Sequence, residues 1–306
     1  MESLSLKNLP ESSDYIASES AVKHNKGRWD FQFNNGRDMW NFSCTSSDGG
    51  RITDFSLNGV NTIITSKESP IFGSTFWTSP QNDWGYPPPP QIDTNSFEAS
   101  FDKKSNRLIL TGSPELNVLN VQIKKEFSID TVNSAIDIKY SILNLLNRDV
   151  KFAPWEISRV KPEGLTFFPK GIDAPFNTEF PNLPYKVSNN AIWIDHSDAP
   201  FKNNKLFSTS DSNWIGYLFK NHLFLKIYET PQIHVPAPLE AKIEVYSNGH
   251  YFEIEQQGSY MTIPKNSRYD WRVKWLLREN PKNIANPLQR KSLYNFAQNI
   301  VNKIQI

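Results

Sequence analysis

From residue 28 to residue 277 the chain is a succession of short alternating apolar and polar runs, closed again and again by Asn, Asp, Gly or Pro. That spacing leaves room for little except antiparallel β-structure. WDFQF (29–33) and MWNFSCTS (39–46) flank Asn34-Asn35-Gly36, a hairpin signal. RITDFSL (51–57) runs between a Gly49-Gly50 turn and an Asn58-Gly59 turn. Further strands are predicted at 97–102, 107–112, 118–129, 134–145, 191–195, 214–219, 223–229, 241–247, 251–257 and 271–277. Neither repeated βαβ units nor a glycine-rich phosphate loop interrupts them. The expected class is all-β, a large antiparallel two-sheet sandwich. Only the end of the chain changes period. Leu288, Leu293, Phe296, Ile300, Val301 and Ile304 fall at mainly helical spacing, which predicts one amphipathic helix over about 286–303 on the outside of the sandwich. Residues 1–26 are polar and without periodicity, and read as a flexible arm. No Gly- or Ser-rich linker divides 27–306, so that stretch is expected to form a single domain.

Charge and cysteine content exclude several classes of function. Lys and Arg number 33 against 32 Asp and Glu, so there is no basic excess to hold a nucleic-acid backbone. The longest apolar runs, such as SILNLL (141–146), are too short to span a bilayer. The opening MESLSLKNLPESSDY lacks the basic start and apolar centre of a secretion signal, and the sequence assigns no compartment. Cys44 is the only cysteine, which rules out an internal disulfide or a cysteine metal cluster, and its strand-like setting suits an inert buried thiol. The five histidines show no HxH or HxxxH spacing, so zinc is not expected. No cofactor is read from the chain. Carboxylate and carbonyl ligands for a structural calcium have no fixed spacing, and that ion is left open. Nor does a GxSxG elbow support serine-hydrolase chemistry.

Three stretches carry candidate site residues. The first, residues 71–93, holds Phe72, Phe76, Trp77, Trp84 and Tyr86, then four prolines, Pro87 to Pro90. Proline cannot donate to a ladder, so the stretch is expected to be an ordered, largely irregular loop rather than a central strand. Its rings, mixed with Gln81, Asn82 and Asp83, offer the stacking faces and hydrogen-bond partners that suit a sugar; the competing reading is a cap on the core. The second is APWEISRV (153–160), with Trp155, Glu156 and Arg159, where Glu156 and Arg159 either pair with each other or face a polar ligand. In the third, YFEIEQQG (251–258), Glu253 and Glu255 share one face of a strand while Phe252, Ile254 and Gln256 take the other. Adjacent carboxylates raise one another's pKa and suit proton transfer or binding of hydroxyls, unless the face is simply solvated. Among the histidines, His234 and His250 are the best placed for a site.

These motifs, in this order, resemble the galactose-mutarotase-like (aldose 1-epimerase-like) proteins, and most closely an uncharacterised bacterial branch of them. The resemblance rests on Gly49-Gly50-Arg51-Ile52, Trp77-Thr78-Ser79-Pro80-Gln81, Trp84-Gly85-Tyr86-Pro87-Pro88, Pro154-Trp155-Glu156-Ile157-Ser158-Arg159 and Glu253-Ile254-Glu255. It implies a β-supersandwich with a carbohydrate-sized cleft on its concave sheet, and a sugar as partner. It also implies a glutamate base on a late strand, Glu255 or else Glu253. The family's mid-chain histidine acid is replaced here by Ala153-Pro154-Trp155-Glu156, which leaves Glu156 as the stand-in and simple 1-epimerisation in question. Arg51, Trp77, Gln81, Trp84, Trp155, Arg159 and His234 complete the expected ligand-binding set. Two alternatives stand beside a sugar epimerase: a non-catalytic glycan-binding module, and a glycoside hydrolase or lyase using paired carboxylates. The sugar and the oligomeric state are not fixed by the sequence.

Overall fold

The computed structural model describes residues 20–176, 180–200, 202–281 and 289–306. Two antiparallel sheets face each other. In the eleven-stranded sheet the order is Ser20–Asn25, Arg28–Asn34, Met39–Thr45, Ile52–Leu57, Ser74–Ser79, Val150–Val160, Phe252–Gln257, Ile243–Ser247 and Asn204–Ser208. Two short strands complete it, Val60–Asn61 beside Ile52–Leu57 and Met261–Ile263 beside Val150–Val160. The ten-stranded sheet runs from Lys186–Ser188 through Ala191–Asp195, Leu165–Pro169, Trp214–Phe219, His222–Tyr228, Arg268–Glu279, Ala135–Asn144, Val121–Asp130 and Arg107–Thr111 to Glu98–Asp102.

Period-two alternation builds the core between them. Ile136, Ile138, Tyr140 and Ile142 turn inward from one sheet; Phe31, Phe42, Phe55 and Phe76 turn inward from the other. Phe76 stacks flat on Tyr140 with centroids 4.2 Å apart, and Phe42 meets Trp275 edge-on. The His222–Tyr228 strand is buried on both faces, because the helix Arg290–Val301 covers the outer side of its sheet. Leu293, Ala297 and Val301, spaced four apart, pack there with Trp193, Trp214, Leu223, Leu225 and Leu276. The expected helix therefore forms, from residue 290 onward; 286–288 lie outside the described residues.

Several segments differ from the sequence reading. Residues 20–25, assigned to the flexible arm, pair along their whole length with Arg28–Asn34, and 1–19 lie outside the described residues. Ser74–Ser79 is not loop but a fully buried central strand. All the prolines of the stretch 71–93 lie at or beyond Pro80, so their veto on strand structure never reaches back to Ser74, and the non-strand parts are 71–73 and 80–93. Pro90 then opens a short helix, Pro90–Asp93, instead of extending a polyproline run. Val150–Val160 is likewise central despite Pro154. Its neighbour on one side changes there, from Met261–Ile263 to Phe252–Gln257, so no ladder donor is required of Pro154 on that side. Among the described residues no helix is long and apolar enough to cross a membrane.

Candidate functional site on the outer face of the eleven-stranded sheet

Register across the middle of this sheet decides which side chains meet. Trp77 lies opposite Trp155, and Trp155 opposite Gln257; Ile157 opposes Glu255, which in turn opposes Glu244; Arg159 opposes Glu253, which opposes Tyr246, and Tyr246 opposes Lys205. Directly opposed residues share a face. All of these point away from the second sheet, and two loops, 80–93 and 231–241, close over them. Gln81 donates its backbone N–H to the Glu240 carboxylate at 2.9 Å, which ties one loop to the other. The Gly49-Gly50 turn anchors the first. Gly49 has φ +70°, and a Cβ there would stand 2.2 Å from the Asp93 carbonyl oxygen. Held so close, the Asp93 carboxylate accepts from Trp77 Nε1 at 2.9 Å and pairs with Arg51 at 3.2 Å.

The centre of the face is a chain of charges. Lys205 Nζ lies 2.6 Å from Glu244 and 3.5 Å from Glu255. Trp155 Nε1 donates to Glu255 Oε2 at 2.9 Å. Glu244 Oε1 accepts from Gln257 Nε2 at 2.8 Å and from the Ala241 N–H at 2.9 Å. Two buried carboxyls compete here for one ammonium. Burial pushes both Glu244 and Glu255 above the ordinary carboxylate range, Lys205 pulls them back only in part, and their mutual repulsion adds to the rise at Glu255. Glu255 Oε1 is buried without a hydrogen-bond partner, as is Gln257 Oε1. Beside it, Arg159 pairs with Glu253 at 2.9 Å, donates to Thr75 Oγ1 at 3.2 Å and sits 5.7 Å from the centre of the Trp77 ring.

The structure sorts the expected site residues into three groups. Glu253, Glu255, Trp155, Arg159 and Trp77 come together as described, and Arg51 supports them through Asp93. Trp84 stands edge-on to Trp77, its Nε1 donating to the Thr78 carbonyl, and Gln81 and His234 form the rim. Burial drives the His234 pKa down to about 4, and Nε2 of its neutral ring faces the Gln257 and Gly258 carbonyls at 3.3 and 3.2 Å. Trp155 is only 1% exposed and offers no open ring face; its part is to hold Glu255. Glu156 does not belong with these residues. Strand alternation turns it to the opposite face, between the sheets, where it accepts from Tyr140 at 2.8 Å, Trp275 at 3.0 Å and Gln256, and pairs with Lys226 at 3.3 Å. The proposed Glu156–Arg159 pair fails for the same reason, since positions three apart on a strand face opposite ways.

Four members of the cluster were not read from the sequence: Lys205, Glu244, Tyr246 and Gln257. Glu244 and Tyr246 carried a usable signal. Asn248-Gly249 marks a hairpin, and pairing back from it sets Glu244 opposite Glu255. Lys205 arrives from a strand 50 residues away from Glu255, and no local pattern announces it. Among the described residues no group of three or more His, Cys, Asp and Glu could hold a metal ion.

This architecture occurs in solved structures. A galactose mutarotase-like protein from Lactobacillus casei superposes with TM-score 0.56 at 9% identity, over 85% of this chain and 100% of the other. A galactose 1-epimerase from Lactobacillus acidophilus gives 0.50 at 11%, over 86% and 99%. A TPR-domain containing protein from Parabacteroides distasonis gives 0.57 at 12%, over 83% of this chain and 47% of the other, so the chain spans about half the length of that protein. No family model and no curated protein matches the sequence. At these identities the likeness defines the fold: a two-sheet β-sandwich of the galactose mutarotase-like kind.

Proposed function

We propose that the outer face of the eleven-stranded sheet binds a carbohydrate and that Glu255 exchanges protons with its anomeric centre. The single observation that carries this is the Glu255 carboxyl. It is held by Trp155, charge-balanced by Lys205, kept near its protonated form by burial, and left with one unpartnered oxygen. Interconversion of anomers needs a proton removed from the C1 hydroxyl and one delivered to the ring oxygen as the C1–O5 bond opens, then the reverse after rotation about C1–C2. A carboxyl whose pKa lies near neutrality serves such transfers in both directions. Arg159 with Glu253, and Lys205 with Glu244, supply donors and acceptors for sugar hydroxyls, while the half-buried Trp84 supplies an apolar face.

The mutarotase-like neighbours support this reading through the shared fold. A second reading, a glycan-binding module without turnover, is favoured by one observation. Glu255 is itself only 1% exposed, and the rim histidine is engaged with backbone carbonyls rather than with the carboxyl. Exchange between α and β anomer signals of free monosaccharides, followed by NMR with and without the protein, separates the two. Accelerated exchange that disappears in Glu255→Gln, with sugar binding and a cooperative folded state retained, is the expected result. Line broadening without faster exchange establishes the binding module, and exchange undiminished in Glu255→Gln overturns the role of that residue.

A further inference from the structure

A groove of about 1110 Å³ lies at the end of the sandwich where the turns after Leu57, Val160, Phe219 and Ser247 converge. Its walls include Asn61, Asn248, Phe219 and Tyr251, with the Lys161–Glu68 ion pair at one side. Glu68 is fixed from behind, its carboxylate also accepting from the Thr65 N–H at 2.8 Å and hydroxyl at 2.9 Å. Amides, an oriented ion pair and aromatic rings on one surface are what a polyhydroxylated ligand with apolar ring faces requires. Sites for small drug-sized ligands occupy roughly 300–1,000 Å³, so this space exceeds the needs of one sugar ring.

The groove borders the candidate site at one pair of aromatic rings. Tyr251, which lines it, sits with its ring 6.4 Å from that of Tyr246, and Tyr246 is directly opposite Glu253 on the outer face. Along the chain Tyr251 precedes Glu253 by two residues and Glu255 by four; at about 3.4 Å per residue it stands about 14 Å from Glu255. A monosaccharide seated at Glu255 cannot span that distance. From this adjacency we infer that the protein takes an extended glycan, with one terminal sugar at Glu255 and the following residues passing Tyr251 into the groove beside Lys161 and Glu68. The inference rests on the carbohydrate reading of the outer face and adds to it the class of ligand: an oligosaccharide rather than a free monosaccharide.

The test is titration of the full chain with size-graded malto-, cello- and galacto-oligosaccharides and their monosaccharides, by calorimetry or saturation-transfer NMR. In at least one series the Kd is expected to fall tenfold or more between monosaccharide and tetrasaccharide. Glu163, exposed on the groove wall, can be enlarged without disturbing the core. Glu163→Trp should return the tetrasaccharide to the affinity of the monosaccharide and leave monosaccharide binding unchanged. Hydrogen exchange on the wild-type chain gives a second readout that no variant can confuse, with slowed exchange expected at 161–164 and 248–251 under tetrasaccharide alone. Equal affinity for short and long members, or no protection at those turns, overturns the inference and leaves the site at Glu255 standing. Failure of every saccharide to bind at any length overturns the carbohydrate reading and this inference with it.

Discussion

Lys226→Met gives the sharpest test of the interior of this sandwich. Lys226 and Glu156 are both completely buried between the sheets and 3.3 Å apart. Lys226 also donates to Ser158 Oγ at 2.8 Å and to the Ile254 carbonyl at 3.2 Å, yet burial still depresses its pKa to about 8. Methionine preserves the length and most of the volume of the side chain and removes the charge. The Glu156 carboxylate then keeps its neutral donors Tyr140, Trp275 and Gln256 but loses its cation. Removing one partner of a buried pair costs about 3–5 kcal/mol, and the surviving donors set the expectation at the lower end, about 3 kcal/mol. At roughly 2–4 °C per kcal/mol for a chain of this order, the melting temperature should fall by about 6–12 °C. Chemical denaturation at neutral pH reads the free energy directly. The double variant Glu156→Gln, Lys226→Met leaves no uncompensated charge and should recover at least half of the loss. A loss below about 1 kcal/mol in Lys226→Met, or a double variant as damaged as the sum of the single ones, refutes the argument that charge compensation governs this pair.

Two further predictions concern the outer face. Because burial raises Glu255 above its unfolded value, the folded chain retains a proton there that the unfolded chain has released; the stability this contributes is complete at low pH and is lost as pH rises through the folded value. Urea melts at pH 5 and pH 8 should therefore show Glu255→Gln gaining on the wild type as pH increases, whereas a pH-independent gap would show that the carboxyl is not held protonated. Gly49→Ala places a Cβ against the Asp93 carbonyl at a left-handed backbone position. It should cost about 3 kcal/mol and release the Asp93 clamp on Trp77 and Arg51, read as a shift in tryptophan emission; an unchanged spectrum and stability would refute the clamp.

How much of this was readable beforehand depends on the range of the interaction. Hairpins follow from local turn chemistry, and the Asn34-Asn35-Gly36 turn and its two flanking strands form as the sequence indicates. The face shared by Glu253 and Glu255 follows from the period of a strand, and both do point outward. Glu156 departs from its expected place because the same period governs 150–160: Trp155 and Arg159 face one way and Glu156 the other. Pro154 is tolerated in that strand through a change of neighbour between Gln257 and Met261, which no local pattern announces. The Lys205–Glu255 contact, which sets the electrostatics of the site, depends on two strands being placed on either side of Ile243–Ser247, and only the assembled sheet brings it about.

The interior pair and the outer cluster bear on each other through the strands they share. A strand buried on both faces ordinarily reads as continuous apolar residues, yet Val150–Val160 carries Glu156 and Ser158 inward and Arg159 outward, while Phe252–Gln257 carries Gln256 inward and Glu253, Glu255 and Gln257 outward. Gln256 donates to Glu156, and the residues on either side of it, Glu255 and Gln257, both belong to the charge chain around Lys205 and Glu244. The inner hydrogen bonds thus add a side-chain tie to the backbone ladder from which the outer carboxyl projects. An apolar pair in place of Glu156 and Lys226 would fill the same space with equal or greater stability, but it would remove the side-chain hydrogen bonds and leave the backbone ladder and packing alone to position these strands. Under the proposed proton-transfer role the outer carboxyl needs that fixity, because Glu255 Oε1 is buried without a hydrogen-bond partner and its position relative to a bound sugar would decide whether a proton can pass.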